Sequence, residues 1–153
     1  DLAFVAASNV DPDLPEGPIT VLDLFRVYGW ANQVVIVSVK GSQIRDFLEG
    51  GLKTTGGFFY PSGLQVVYDP SAKKGDSITS ISVGNQPLED NKSYRATVED
   101  RIATSEGSGK GLADFLDASG RAETGVMIRD LIARHIQTLS QIKGSVDDRV
   151  QEK

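Results

Sequence analysis

The chain has 153 residues, 16 of them Lys or Arg and 21 Asp or Glu, for a net charge of −5. Hydrophobic residues make up 39% and charged residues 24%, which excludes the low-apolar, high-charge composition of a disordered chain and fits one domain with a continuous core. No Lys/Arg-rich run offers a nucleic-acid backbone clustered positive charge, no apolar run reaches the roughly 20 residues that span a bilayer, and zero cysteines exclude disulfides and thiolate metal sites.

Residues 1 to 7 read as a strand and lack the basic start of a signal peptide, so the chain is expected to begin inside a longer protein. Ser8 to Gly17, rich in Pro, Asp and Gly, reads as a loop. Thr20 three residues before Asp23, with Val21, Leu24, Phe25 and Tyr28 at helical spacing, predicts an N-capped helix ending at Gly29. The β-branched run over 33 to 39 predicts a central strand. Gly41 then precedes a helix capped by Ser42 that carries Ile44, Phe47 and Leu48.

Gly50 to Gly63 reads as a glycine-rich loop holding the aromatic cluster Phe58, Phe59 and Tyr60. Three consecutive rings cannot share one face of a strand, so at least one is expected to project, either to stack on a planar ligand or to cover a sheet edge. Leu64 to Tyr68, Ser77 to Val83 and Tyr94 to Val98 predict further strands, separated by polar turns. Asp100 to Gly111 reads as a second loop, leading to a short helix near Leu112 to Leu116. Thr124 is expected to cap a last helix whose Ile128, Leu131, Ile132, His135, Ile136 and Leu139 form an apolar stripe packed on the sheet, with a polar, loosely ordered tail from Gly144. The expected fold is a single α+β domain over 1–153, a mixed, mostly antiparallel sheet with helices packed on it.

One histidine and no cysteine are a poor donor set for a di-metal centre, and no Gly-x-Ser-x-Gly elbow offers a serine nucleophile. His135, inside the stripe, reads as a packed or edge histidine. Glu106 to Gly111 misses the phosphate-loop spacing, because Lys110 is followed by Gly; a surface loop and a ligand-contacting loop both remain open. The chain is therefore not expected to be catalytic alone.

The order of short motifs is similar to the C-terminal, substrate-binding domain of the 5′-nucleotidase family. Gly17-Pro18-Ile19-Thr20, Asp23-Leu24, Trp30-Ala31-Asn32, Lys40-Gly41-Ser42-Gln43-Ile44 and Phe47-Leu48-Glu49 resemble its first half. Thr55 to Gly63, Val66 to Asp69, Lys74-Gly75-Asp76, Pro87-Leu88, Tyr94 to Thr97 and Asp148-Arg149-Val150 resemble its second. The resemblance implies a periplasmic or extracellular protein in which a covalently linked N-terminal metallophosphoesterase domain carries a divalent metal pair. This chain, holding no cofactor of its own, would position a nucleotide or related ester between aromatic walls.

Carried over residue by residue, the resemblance assigns substrate binding to Phe58, Arg101, Asn9, Lys40 and Ser108. Phe58 matches the first stacking aromatic, while Arg101 stands where the second ring is expected and can stack by cation–π contact. Asn9 is kept where the following arginine is lost. Ser108 or Gly107 replaces a loop aspartate, and Lys40 takes a position that is either substrate-facing or a solvated strand end. These departures leave two alternatives: a non-catalytic binding or adhesion module, or the corresponding part of a sulfur-ester hydrolase of the same superfamily.

Overall fold

The computed structural model describes residues 2–10, 13–52, 59–73, 75–104, 120–145 and 147–153. Its strands are β1 (Leu2–Ala6), β2 (Gln33–Lys40), β3 (Phe59–Ser62), β4 (Leu64–Tyr68), β5 (Ile78–Val83), β6 (Gln86–Pro87), β7 (Ser93–Glu99), β8 (Ala122–Met127) and β9 (Val150–Glu152). The α-helices are α1 (Val21–Val27), α2 (Gly41–Leu52), α3 (Asp100–Ala103) and α4 (Ile128–Leu139), and Ala7–Asn9 forms a 3₁₀ turn. The α+β class and the mostly antiparallel pairing hold, but the strands form two sheets where one was expected. Five strands run in the order β3-β1-β7-β2-β8 and four in the order β6-β5-β4-β9. Only β1–β7 and β4–β9 pair in parallel among the described residues.

Side-chain alternation builds the core. Val35, Val37 and Val39 of β2 are buried on one face, and Tyr94, Ala96 and Val98 of neighbouring β7 are buried with them, as a period of two requires. Helix α2 lies against β2 of one sheet and β5 of the other, placing Ile44, Phe47 and Leu48 between them. Phe47 meets Phe4 edge-on at 5.5 Å and Phe59 at 4.3 Å, and each such buried side chain contributes roughly 1.5–3 kcal/mol. Glu49 adds a polar tie by accepting a hydrogen bond from the Ile78 backbone N–H at 2.5 Å.

The start of α2 depends on a close approach. The Gly41 and Ser42 N–H groups donate to the Lys92 and Asp90 carbonyls, and the Gln43 side chain accepts from Lys40 N–H. A Cβ at Gly41 would collide with the Glu89 carbonyl, so glycine is required there, and the helix starts one residue before the expected Ser42 cap. By contrast, the predicted cap of α1 is present as a full capping box, Thr20 and Asp23 satisfying each other's backbone N–H groups.

Several expectations are corrected. Helix α2 runs through Gly50 and Gly51 to Leu52, and Phe59–Ser62 is a strand on β1 where a loop was expected. Thr124 lies in β8, donating to the Val34 carbonyl at 2.6 Å, and α4 begins at Ile128, whose N–H donates to the Asn32 carbonyl. Helix α4 reaches the sheet only at its edge strand β8 and otherwise packs on α1: of its apolar stripe Ile128 is buried, Ile132 and Ile136 are half-buried, and Leu131, His135 and Leu139 stay exposed. On α1, Leu24 and the following Tyr28 are buried while Val21 and Phe25 are not. The tail includes β9, docked parallel on β4.

Candidate functional site

Chain direction gathers polar residues at one end of the five-stranded sheet. Strands β1 and β7 are parallel, so their C-terminal ends coincide, and antiparallel β2 enters the sheet at that same end. Asn9 follows β1, Glu99 closes β7 and Arg101 follows it, while Tyr28, Trp30 and Asn32 lead into β2.

Glu99 is the centre of this cluster. It is 1% exposed, and its two carboxylate oxygens accept from Asn9 Nδ2 at 2.6 Å and from the Tyr28 hydroxyl at 2.9 Å. The Tyr28 hydroxyl in turn accepts from Asn32 Nδ2 at 3.1 Å. Burial pushes the Glu99 carboxyl above its ordinary range, and Asp100 pushes the same way. The bonds from Tyr28, Asn9 and the Ala6 backbone N–H pull it back down. Tyr28 is also raised, by burial first and by the neighbouring Glu99 charge second. Among the described residues this buried carboxylate is held by neutral donors alone, an uncommon arrangement, because a charge in the interior is ordinarily paired.

Around this buried centre lies an exposed rim of flat groups. The Arg101 guanidinium stands 5.5 Å from the centre of the Trp30 ring, which is 46% exposed. Arg129 sits 3.7 Å over Phe25 and donates to the Tyr28 and Trp30 carbonyls, fixing the backbone that presents Trp30. Such an edge offers π faces and guanidinium planes on which a planar ring can stack, a contact worth roughly 1–3 kcal/mol per base.

Of the residues expected to bind substrate, Asn9 and Arg101 both lie at this sheet end. Phe58 and Ser108 lie outside the described residues; Phe59, next after Phe58, pairs with Ala6 at this same sheet end and turns its ring to Phe47 in the core. Lys40 stands apart. It closes β2 opposite Ser93, at the other end of an eight-residue strand and so roughly 24 Å away, with its side chain exposed. His135 is exposed on α4, and no group of three or more potential metal-binding side chains occurs among the described residues. A hollow of about 230 Å³ on the four-stranded sheet is edged by Arg149, which already pairs with Asp147 and donates to the Pro61 carbonyl.

Glu99, Tyr28 and the side chain of Asn32 were given no role by sequence reasoning. Their one available signal is that Glu99 continues an alternating strand, Tyr94, Ala96, Val98, with an acid where a residue of either kind could stand. Only the fold supplies the partners that make its burial possible.

A domain of two mixed sheets with a polar, stacking-competent sheet end is the class that the geometry defines. The family model described as "5′-nucleotidase, C-terminal domain" matches residues 1–114, and the chain belongs to that family. It is 25% identical to the snake venom 5′-nucleotidase of Macrovipera lebetinus over 94% of this chain and 37% of that protein. A 5′-nucleotidase precursor from Thermus thermophilus superposes with a TM-score of 0.89 at 26% identity, covering 99% of this chain and 31% of that one. The sulfate thiohydrolase SoxB of Thermus thermophilus shares the fold, with a TM-score of 0.74 at 20% identity over 99% of this chain and 28% of that one. The chain thus spans about a third of the length of these relatives.

Proposed function

We propose that this chain is the substrate-positioning domain of a 5′-nucleotidase-like, metal-dependent phosphoesterase, and that it holds the planar part of a nucleotide or related ester at the sheet end of Asn9 and Arg101. The observation that carries the reading is the exposed Arg101–Trp30 pair at the same sheet end as the half-buried Asn9. That end offers stacking surface and a hydrogen-bonding amide, where the family resemblance places substrate contacts. Phe58 would supply a second wall.

Hydrolysis belongs, in this reading, to a metallophosphoesterase domain N-terminal to the chain in the same polypeptide. One histidine and no cysteine do not fit a resident metal pair, so the metals would be held by that domain, in a periplasmic or extracellular protein. Binding energy collected at the base would orient the distant ester, which is how contacts remote from the reacting atoms raise a rate.

The test is hydrolysis by the full-length polypeptide with added divalent metal across nucleotides, cyclic nucleotides, nucleotide sugars and sulfur esters. Turnover of a nucleotide, lowered about tenfold or more in kcat/KM by Arg101→Ala, is the expected result. Turnover of sulfur esters alone moves the substrate class to the thiohydrolases. No turnover of any ester favours the non-catalytic binding module and overturns the proposal.

A further inference from the structure

Glu99 does more than fill space at the sheet end. An ionised carboxylate can only accept hydrogen bonds, and an asparagine amide offers two donors on nitrogen and an acceptor on oxygen. The 2.6 Å contact therefore fixes which way round Asn9 stands: Nδ2 is committed inward to Glu99, and Oδ1 is the end left over. No donor among the described residues reaches that oxygen, and Asn9 is only half-buried.

The rest of the network gives the carboxylate no freedom to do otherwise. The Tyr28 hydroxyl receives a bond from Asn32 and so sends its own proton to Glu99 Oε1, leaving Oε2 for Asn9. No cation competes for either oxygen among the described residues, since the described salt bridges all lie elsewhere. Among the described residues, both carboxylate oxygens accept from neutral donors.

We propose that Glu99 is a positioning residue that holds the Asn9 amide with its carbonyl oxygen outward, making Asn9 an acceptor subsite that selects an N–H or O–H donor on the ligand. The subsite discriminates against a bare acceptor, such as a phosphate oxygen, and favours an amino group on the base or a hydroxyl on the sugar. The inference rests on the reading of this sheet end as the place where a nucleoside binds.

The polarity can be reversed. In Glu99→Gln, while Asn32 keeps its orientation, the Tyr28 proton still needs an acceptor, so the new amide turns its oxygen to Tyr28 and its NH₂ to Asn9. Asn9 must then rotate to present oxygen inward and nitrogen outward. Volume and shape hardly change, so a purely structural role for Glu99 predicts no such rotation.

The experiment uses the ¹⁵N-labelled chain and follows the Asn9 side-chain amide, assigned by its loss in Asn9→Ser. In the wild type this amide is expected to exchange slowly with water, in Glu99→Gln rapidly, and in Tyr28→Phe slowly again, because Glu99 still accepts from it there. Rapid exchange in the wild type, or an unchanged amide in Glu99→Gln, overturns the proposal. In parallel, affinity is measured for adenosine, for purine riboside, which lacks the base amino group, and for 2′,3′-dideoxyadenosine, which lacks the sugar hydroxyls. One of the two deletions should cost the wild type roughly 3- to 10-fold and cost Glu99→Gln clearly less. Equal affinity of the wild type for all three overturns the acceptor subsite. If adenosine fails to bind at all, the nucleoside reading of the sheet end falls, while the exchange data still decide whether Glu99 orients Asn9.

Discussion

The two ends of the five-stranded sheet are built on opposite plans. At the Lys40 end, the turn over 89 to 92 is clamped: the Gly41 N–H donates to Lys92, the Tyr94 hydroxyl accepts from the Glu89 N–H, and the exposed Lys92 and Glu89 side chains pair at 3.1 Å. Backbone groups there are satisfied by backbone, by the Gln43 side chain and by one buried phenol, at little electrostatic cost. At the Asn9 end a carboxylate is buried with no cation among the described residues, and a tryptophan and the Arg101 guanidinium are left at the surface. The first plan favours stability. The second accepts a cost that residues selected only for folding would avoid, and such local conflicts concentrate at functional sites.

The sharpest way to break the clamped end is Gly41→Val. The added carbons would meet the Glu89 backbone, which cannot move without releasing the α2 N-terminus, so a loss of roughly 3 kcal/mol is expected, about 10 °C in a thermal melt. A change within error would show that the 89–92 turn yields freely.

Next in size is Arg101→Ala, at the other end. It should leave the melting temperature nearly unchanged, since the side chain is exposed, while weakening nucleoside binding by roughly tenfold. Lys40→Ala, at the clamped end, should change neither. Reversal of these two results would move the site to the far end of β2.

How much of this contrast could be read from the sequence follows from how local each signal is. The β-branched run of β2 and the Thr20–Asp23 capping pair specify their elements within a few residues, and both stand where expected. Strands β8 and β9 and the four residues of β3 were missed because they are short and at sheet edges, their residues largely polar or exposed, with pairing set by partners far along the chain. Thr124 illustrates the ambiguity: a threonine ahead of an apolar helical run looks like a cap, but here its hydroxyl serves the β2 backbone. Asn9 and Arg101 were legible through family resemblance. Glu99 was not, because its burial needs Asn9 and Tyr28, 90 and 71 positions away.

A smaller effect concerns pH. The Glu99 carboxyl is raised above the ordinary glutamate value of 4.5 chiefly by burial, so between that value and its raised one the folded chain binds more protons than the unfolded chain. Stability contributed by the protonated form is then complete below the ordinary value and is lost as pH rises through the raised one. Melts of wild type and Glu99→Gln across pH 4 to 8 should diverge accordingly, the wild type losing stability relative to the variant as pH rises. Parallel curves would show that the bonds from Asn9 and Tyr28 fully offset burial.

Trp30 is the chain's single tryptophan, so its fluorescence reports on the proposed stacking surface alone. Titrating adenosine into the wild type, Arg101→Ala and Lys40→Ala while recording that emission tests the central claim most directly. A nucleoside stacked at the Arg101–Trp30 edge predicts a saturable change in the wild type and in Lys40→Ala, and a curve shifted to roughly tenfold higher concentration in Arg101→Ala. Identical curves for all three chains, or no saturable change in any, would contradict it.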